Sequence, residues 1–129
     1  MSAPEASAGD RFCTIGAVVG ALGVAAGAFG AHALKARVEP RYLAIWDTAA
    51  EYQLWHALAL VLVGLLVNLG ARRPRAARAA GWAFLFGVVV FSGSLYTLVL
   101  TGVSWLGAIT PIGGASLIGG WCALAVACW

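Results

Sequence analysis

The chain has 129 residues, of which 62% are hydrophobic and 10% are charged, and its formal net charge is +3. A soluble domain of this length carries about 25% charged residues, because it must cover a large surface with polar groups. The composition therefore argues against a soluble globule, a disordered chain and a nucleic-acid binder, and it indicates an integral membrane protein with a single domain.

Residues 1–11 form a polar amino-terminal tail that contains Glu5, Asp10 and one basic residue, Arg11. A cleavable signal peptide has a positively charged amino-terminal region and a shorter apolar stretch than the run that follows here. We therefore interpret that run as a membrane helix that the mature protein retains.

Four apolar stretches are each long enough to cross the hydrocarbon core as an α-helix, which takes about 20 residues. They predict helices over residues 12–34, 48–70, 79–100 and 105–128, within a single membrane domain, 12–129. The alternation of a β-barrel strand is missing from these runs, and only helices and closed barrels satisfy their backbone hydrogen bonds in lipid. The predicted fold is an all-α bundle of four transmembrane helices.

Glycines in the first predicted helix recur at alternating spacings of four and three residues. This spacing places them on one face, where another backbone can approach closely. A looser glycine set occupies the last helix. We interpret both sets as helix-packing faces, within the bundle or between protomers, with the wall of a permeation path as the alternative. The residues are Gly16, Gly20, Gly23, Gly27, Gly30, Gly113, Gly114, Gly119 and Gly120.

The polar connection between the first two helices contains a possible short helix over residues 40–46, beginning at Pro40 and lying in the membrane interface. Asp47 is then expected to cap the second membrane helix, with Glu51 one turn later near the positive end of the helix dipole. We interpret Asp47 and Glu51 as interfacial acids that stabilise the start of this helix.

The basic residues predict the orientation of the chain. With four crossings, both termini and the connection between the second and third helices share one side of the membrane. That side carries Arg11, Arg72, Arg73, Arg75 and Arg78, and the other carries Lys35, Arg37 and Arg41. The positive-inside rule therefore predicts cytoplasmic termini. Because no Arg-rich, acid-poor presequence is present, we favour the bacterial inner (plasma) membrane over a mitochondrial one.

Ionisable groups inside a membrane span are costly and are therefore candidates for function. The candidates here are His32 in the first helix and Tyr52, Gln53 and His56 in the second. Their positions along the two helices place the histidines at different depths, which disfavours a haem or metal held between them. We expect both to be neutral, with His56 bonded to a neighbouring helix and His32 bonded to Tyr52, Gln53 or the connection.

Enzyme signatures are missing from the sequence: it contains no nucleophile elbow, phosphate-binding loop or dinucleotide motif. Cys13, Cys122 and Cys128 form no CxxC pair and have no histidine at metal-ligand spacing. We therefore expect no catalytic residue, no metal site, no disulfide framework and no resident cofactor.

Several segments together resemble a known family. They are Gly27–Leu34 (GAFGAHAL), Thr48–Leu60 (TAAEYQLWHALAL), Ser92–Tyr96 (SGSLY), Thr110–Gly114 (TPIGG) and Gly120–Trp121. The chain is similar over nearly all of its length after Arg11 to the family catalogued as domain of unknown function 423. This family includes the YgdD-like bacterial inner-membrane proteins and the animal transmembrane protein 256. The resemblance implies a small membrane protein of four or so helices without an established biochemical activity.

Three hypotheses for function follow from these patterns. The first is a non-catalytic membrane protein that serves as an accessory, assembly or scaffold subunit, as a homo-oligomer or within a larger complex in the lipid bilayer. The second is a small-solute or proton carrier or channel lined by the polar cluster His32, Tyr52, Gln53 and His56. The third is a redox subunit that holds haem or quinone at the histidines.

Overall fold

A computed structural model describes residues 3–129, which form four long helices joined by short connections. The helices are α1 (Ala8–Phe29), α2 (Pro40–Asn68), α3 (Pro74–Thr101) and α4 (Thr110–Cys128). A π-helical turn, Gly30–Leu34, extends α1, and a 3-10 turn, Ser104–Ala108, precedes α4. Each of the four units is long and apolar enough to cross a membrane. The predicted all-α fold with four transmembrane helices is confirmed, and no strand occurs among the described residues.

The first helix begins earlier than predicted because Ser7 caps it. The Ser7 hydroxyl accepts a hydrogen bond from the Asp10 backbone N–H, and the Asp10 carboxylate accepts one from the Ser7 N–H, both at 3.0 Å. This reciprocal capping box satisfies two backbone donors that would otherwise lack partners. Residues 8–11 of the predicted tail are therefore helical, and Met1 and Ser2 of that tail lie outside the described residues.

The second helix also begins earlier than predicted, at Pro40. Proline suits this position because a backbone N–H in the first turn has no partner within the helix. Residues 40–46 are therefore the first two turns of α2 and not a separate interfacial helix, and Glu39 occupies the N-cap instead of Asp47. The physical reason is packing: apolar side chains in these turns, Trp46 above all, pack into a buried cluster with Leu34 and Leu98.

The third and fourth helices each have a proline in the first turn, and a left-handed glycine lies between them. Pro74 and Pro111 lie in the first turns of α3 and α4. Gly102 ends α3 with a φ of 72°, a conformation that favours glycine, and its N–H donates to the Leu98 carbonyl at 2.8 Å. The break in the last apolar run therefore falls within the predicted segment Thr101–Ser104.

The two middle helices form the centre of the molecule. α2 packs against α3, α1 packs mainly on α2, and α4 packs mainly on α3. All four helices contribute to one buried cluster, whose largest members are Phe12, Leu60, Val63, Phe84 and Leu117. The outward faces of α1 and α4 remain largely exposed, as expected for helices that meet lipid.

The glycines of α1 allow close contact with α2. A Cβ atom at Gly16 would lie 2.8 Å from the Ala57 carbonyl oxygen, and one at Gly30 would lie 2.6 Å from the Trp46 ring. Gly23 is also tight and Gly20 has more room, whereas a Cβ placed at Gly27 would meet no atom within 4 Å apart from the adjacent backbone of α1. The α1 glycine face is therefore a packing surface within the chain.

The glycines of α4 serve the contact with α3. Gly113 lies against the Phe91 backbone, and a Cβ at Gly120 would lie 2.6 Å from the Phe84 ring. The Phe91 ring is 3.7 Å from a Cβ placed at Gly114, whereas Gly119 has no neighbour within 4 Å. Only Gly27 and Gly119 of the predicted packing residues therefore lack such a contact in the described part of the chain.

One end of the bundle gathers the start of α1, the end of α2, the start of α3 and the end of α4, and we call it the arginine end. The Asn68 side-chain amide donates from Nδ2 to the Asp10 carboxylate at 2.9 Å, and its Oδ1 accepts a hydrogen bond from the Ser7 hydroxyl at 2.8 Å. The Arg73 guanidinium donates to the backbone carbonyls of Val126 and Trp129 at 2.9 and 3.3 Å. Both described ends of the chain thus lie beside the arginine-rich connection, as an even number of crossings requires.

Candidate functional site

The inward face of α2 carries the buried polar side chains of the predicted cluster. Gln53 and His56 are three residues apart on this helix, so they point to the same side, and only 7% and 5% of their surfaces are exposed. Tyr52 lies at the edge of this face, with its side chain exposed and its ring stacked over Phe91 at 4.6 Å. These residues lie together because α2 is enclosed by the other helices on this side.

The Gln53 amide joins three helices. Its Nε2 donates to the Val19 carbonyl of α1 at 2.9 Å, and its Oε1 accepts a hydrogen bond from the Tyr96 hydroxyl of α3 at 2.7 Å. The Tyr96 ring in turn lies 4.5 Å from the Trp46 ring, whose indole N–H donates to the Ala26 carbonyl of α1. Gln53 therefore fixes the relative positions of α1, α2 and α3.

The two ring nitrogens of His56 have different partners, and these partners define its protonation state. Nδ1 lies 2.7 Å from the Tyr52 carbonyl oxygen, and Nε2 lies 3.1 Å from the Trp121 indole nitrogen of α4. A carbonyl can only accept and an indole N–H can only donate. The proton is therefore assigned to Nδ1, while Nε2 accepts from Trp121. Both bonds are satisfied together only by the neutral imidazole.

Hydroxyl groups complete the bonds between the helices. Ser92 donates to the Ala49 carbonyl of α2 at 2.7 Å, and Ser116 of α4 donates to the Ala83 carbonyl of α3 at 2.8 Å. Among residues 3–129, no buried side-chain nitrogen or oxygen is left without a hydrogen-bond partner. The buried polar groups are thus used for helix association, which is their expected role in lipid.

His32 does not join this cluster, contrary to the expected bond with Tyr52, Gln53 or the connection. Its side chain is exposed on the π-helical turn, and Gln53 instead bonds to Val19 and Tyr96. Gly30, close to His32, packs against Trp46, which lies ten residues before His56 or about 15 Å along α2. A π turn contains an extra residue and so redirects the side chains that follow it. The two histidines therefore lie at different positions along the bundle, with His32 exposed at its surface and His56 buried inside it.

The two acids lie inside α2 and face outward. α2 has 29 residues and is about 43 Å long, whereas the hydrocarbon core is about 30 Å thick. For α2 centred in the core, Asp47 lies about 4 Å inside the boundary and Glu51 about 10 Å inside it. Because α2 is longer than the core is thick, its length does not set its position along the membrane normal, and the interfacial position of Asp47 and Glu51 stays a prediction.

The surroundings of Glu51 are apolar. It is exposed and shares an outward groove with Leu54, Trp55 and Leu58, and none of the residues that line this groove is basic. Trp55 is 59% exposed on the same face. A carboxylate within a membrane-spanning helix normally faces the interior of a bundle or pairs with another group. Its position therefore marks this face as a candidate for contact with a second protein.

Sequence reasoning did not identify Trp121, Tyr96 and Trp46 as partners of the polar cluster. A polar atom on an aromatic ring is the available signal, since a buried tryptophan N–H or tyrosine hydroxyl normally has a hydrogen-bond partner. Within the described residues, no group of three or more histidine, cysteine or acidic side chains is arranged to hold a metal ion. The three cysteines, Cys13, Cys122 and Cys128, are free thiols.

The comparisons with known proteins agree with this architecture. A family model described as a protein of unknown function (DUF423) matches residues 26–114, which confirms the resemblance found in the sequence. A UPF0382 membrane protein of Staphylococcus epidermidis is 45% identical over 116 residues, covering 90% of this chain and 93% of the relative. The UPF0382 membrane protein YwdK of Bacillus subtilis is 42% identical over 120 residues, covering 90% and 94%. No solved structure matches the chain significantly.

Proposed function

We propose that this chain, which belongs to the DUF423 family of proteins of unknown function, is a non-catalytic membrane subunit that associates with a protein partner inside the bilayer. In this role it serves as an accessory, assembly or scaffold subunit. The partner is a second copy of the chain or another membrane protein, and it docks on the outward face of α2 around Glu51. The observation that carries the proposal is the exposed carboxylate of Glu51 in an apolar groove of a helix that is long enough to span the membrane.

The cost of a carboxylate in lipid supports this proposal. Placing an acidic side chain at the centre of a membrane helix costs about 2.5–3.5 kcal/mol, and the cost falls when the group pairs with a donor. Leu54, Trp55 and Leu58 surround Glu51 with mostly apolar surface, and none of them carries a positive charge. A partner that presents a hydroxyl, amide or cationic group would remove this cost, and Trp55 would add apolar contact area.

The buried polar groups described above already have hydrogen-bond partners, and this supports a structural role over the carrier and redox alternatives. A polar path lined by Gln53 and His56 requires these side chains to exchange their bonds to Val19, Tyr96 and Trp121. A haem or metal ligand requires a free nitrogen lone pair, and the lone pair at His56 Nε2 already accepts from Trp121. Solute or proton flux that His56→Ala abolishes in proteoliposomes would support the carrier alternative instead.

The test of the proposal is the mass of the particle that contains this protein. We expect the wild-type chain, taken from its own membranes in mild detergent, to appear by native mass spectrometry in a stoichiometric oligomer or complex. Glu51→Leu should release the chain as a monomer. The matched control is Glu39→Leu, which removes an exposed carboxylate at the N-cap of the same helix, and it should leave the mass unchanged.

Two results would contradict the proposal. One is a wild-type particle that contains a single chain and no protein partner. The other is a complex whose mass is the same for wild type and Glu51→Leu. A complex composed of one protein only identifies the partner as a second copy of the chain, and a complex with a different protein identifies an accessory role.

We also propose that the chain lies in the bacterial inner (plasma) membrane, and the arginine end supports an orientation with both termini in the cytoplasm. Five basic residues belong to this end, and the positive-inside rule places such an end on the cytoplasmic side. Reporter proteins fused after Trp129 measure the orientation directly. We expect activity from a reporter that works only in the cytoplasm, and activity from an exported reporter would reverse the orientation.

A further inference from the structure

A groove between α1 and α3 at the arginine end has a volume of about 390 Å³ and combines basic and apolar side chains. Arg11 and Arg78 contribute the positive charge, and Phe12, Ile15 and Trp82 contribute apolar surface. Trp82 is 61% exposed and packs edge to face on Phe12, with 5.4 Å between the ring centroids. The groove is therefore amphiphilic and open at the surface of the bundle.

The direction of the two helices gives the groove a polarity along the membrane normal. α1 and α3 both start at the arginine end, so they run in the same direction through the membrane. On α1, Ile15 follows Arg11 by four residues, and on α3, Trp82 follows Arg78 by four residues. On each helix, the side chain that lines the groove is thus a cation at the arginine end and an apolar group about 6 Å closer to the membrane centre.

The charges in the groove favour an anion. Arg11 and Arg78 are exposed, whereas Arg73 at the same end donates to the carbonyls at the end of α4. Asp10 also lines the groove and offsets one of the two positive charges, but its carboxylate oxygens accept from the Ser7 N–H and the Asn68 amide, and the lining keeps a net positive charge. A guanidinium binds a phosphate through two parallel hydrogen bonds, which makes a pair of arginines well suited to a phosphate group.

We propose that this groove binds an anionic phospholipid. Its phosphate lies between Arg11 and Arg78, and the first part of an acyl chain lies against Trp82 and Ile15. Basic pockets between membrane helices bind anionic headgroups on the side of the membrane that is rich in such lipids. The four-residue step from arginine to apolar side chain on both helices matches the order of phosphate and acyl chain in a phospholipid. This proposal does not depend on a protein partner.

The experiment compares lipid retention by the full chain and its variants. The purified protein is delipidated, mixed with equal amounts of phosphatidylglycerol and phosphatidylcholine of the same acyl chains, and analysed by native mass spectrometry. We expect wild type to retain one phosphatidylglycerol in preference to phosphatidylcholine. Arg11→Gln/Arg78→Gln should lower this preference roughly tenfold or more, because two cations near the headgroup are lost.

The matched control is Arg72→Gln/Arg75→Gln, which removes the same charge at the same end but from exposed side chains outside the groove. It should keep the wild-type preference. If both double variants lost the preference for phosphatidylglycerol equally, the net charge of the chain alone would explain it. This result would overturn the proposal. Equal retention of the two lipids by wild type would overturn it without any variant, so the test does not depend on the folding of the variants.

A second arm distinguishes a lipid from a free phosphate compound. Trp82→Ala removes apolar surface and leaves both arginines in place, and it should lower retention of phosphatidylglycerol. Water-soluble glycerol phosphate should fail to displace the lipid at equal concentration. Unchanged retention by Trp82→Ala, together with displacement by glycerol phosphate, would assign the arginine pair to a soluble phosphate compound and overturn the lipid assignment.

Discussion

The inward and outward faces of α2 carry polar side chains with opposite environments. On the inward face, Gln53 bonds to α1 and α3, and His56 bonds to α4 through Nε2 and to its own helix through Nδ1. On the outward face, Glu51 lies at a similar depth beside Trp55 and Leu58, in a groove without a basic residue. In a membrane helix, a polar residue type alone therefore does not indicate its role. The direction in which it points decides whether it holds the fold together or is available to a partner.

The largest loss of stability should come from substituting a glycine of α1 that lies against α2, and it should not occur at an α1 glycine that has open space beside it. Gly16→Ala places a Cβ 2.8 Å from the Ala57 carbonyl oxygen and 2.9 Å from the Val61 nitrogen, so the α2 backbone must move. We expect a loss of about 2–3 kcal/mol in the free energy of unfolding, measured by reversible unfolding in mixed micelles. Gly27→Ala, where the new Cβ meets no atom within 4 Å apart from the adjacent backbone of α1, is the matched control and should be neutral or slightly stabilising. Equal effects would contradict the assigned contact.

The second largest loss of stability should come from substituting Gln53 on the inward face of α2. Gln53→Leu removes the acceptor of the half-buried Tyr96 hydroxyl and the donor to Val19, and we expect destabilisation of about 1–2 kcal/mol. Adding Tyr96→Phe should recover part of that loss, because the orphaned hydroxyl is then absent. The same unfolding assay measures both variants, and strictly additive losses would show that the two side chains are not coupled.

A smaller effect should follow from the indole of Trp121. Trp121→Phe removes the N–H that donates to His56 Nε2 and keeps most of the ring, so we expect a loss of about 0.6 kcal/mol. Nitrogen-15 chemical shifts of the His56 ring should show protonated Nδ1 and unprotonated Nε2 in wild type. The Nε2 shift should change in Trp121→Phe while the Nδ1 shift stays nearly constant. Protonated Nε2 in wild type would refute the assigned tautomer.

The smallest effect on stability should come from the outward face of α2. Glu51→Leu removes a carboxylate that bonds to nothing in its groove, so the unfolding free energy of the separated chain should change by less than about 0.5 kcal/mol. The same substitution is expected to change the mass of the assembly. A large loss of stability in the isolated chain would place Glu51 among the groups that hold the fold.

The sequence was sufficient to predict four membrane helices, because apolar runs of this length have few alternatives in lipid. It was insufficient for the start of α2. The mixed composition before Asp47 suggested an interfacial segment, whereas Trp46 packs against Gly30 and donates to Ala26. Packing between helices, which is invisible in a hydropathy pattern, determined that boundary.

The candidate site was predictable in part. Residue type and position pointed to Gln53 and His56 as buried polar groups of one helix. Their partners Tyr96 and Trp121 lie 43 and 65 residues away along the chain, and the pairing depends on how each helix is rotated about its axis. Helices that are apolar on nearly every face provide little information about this rotation. The outward position of His32 was missed for the same reason, together with the π turn.

The distribution of bonds along the chain also has a consequence for biosynthesis. Both partners of Gln53, Val19 and Tyr96, precede α4, so a nascent chain that has inserted its first three helices already contains the whole Gln53 network. The partner of His56 is Trp121, which enters the membrane only with the last helix. A chain that stops before α4 therefore leaves His56 Nε2 without a donor, and this unsatisfied acceptor distinguishes the unfinished chain from the complete one.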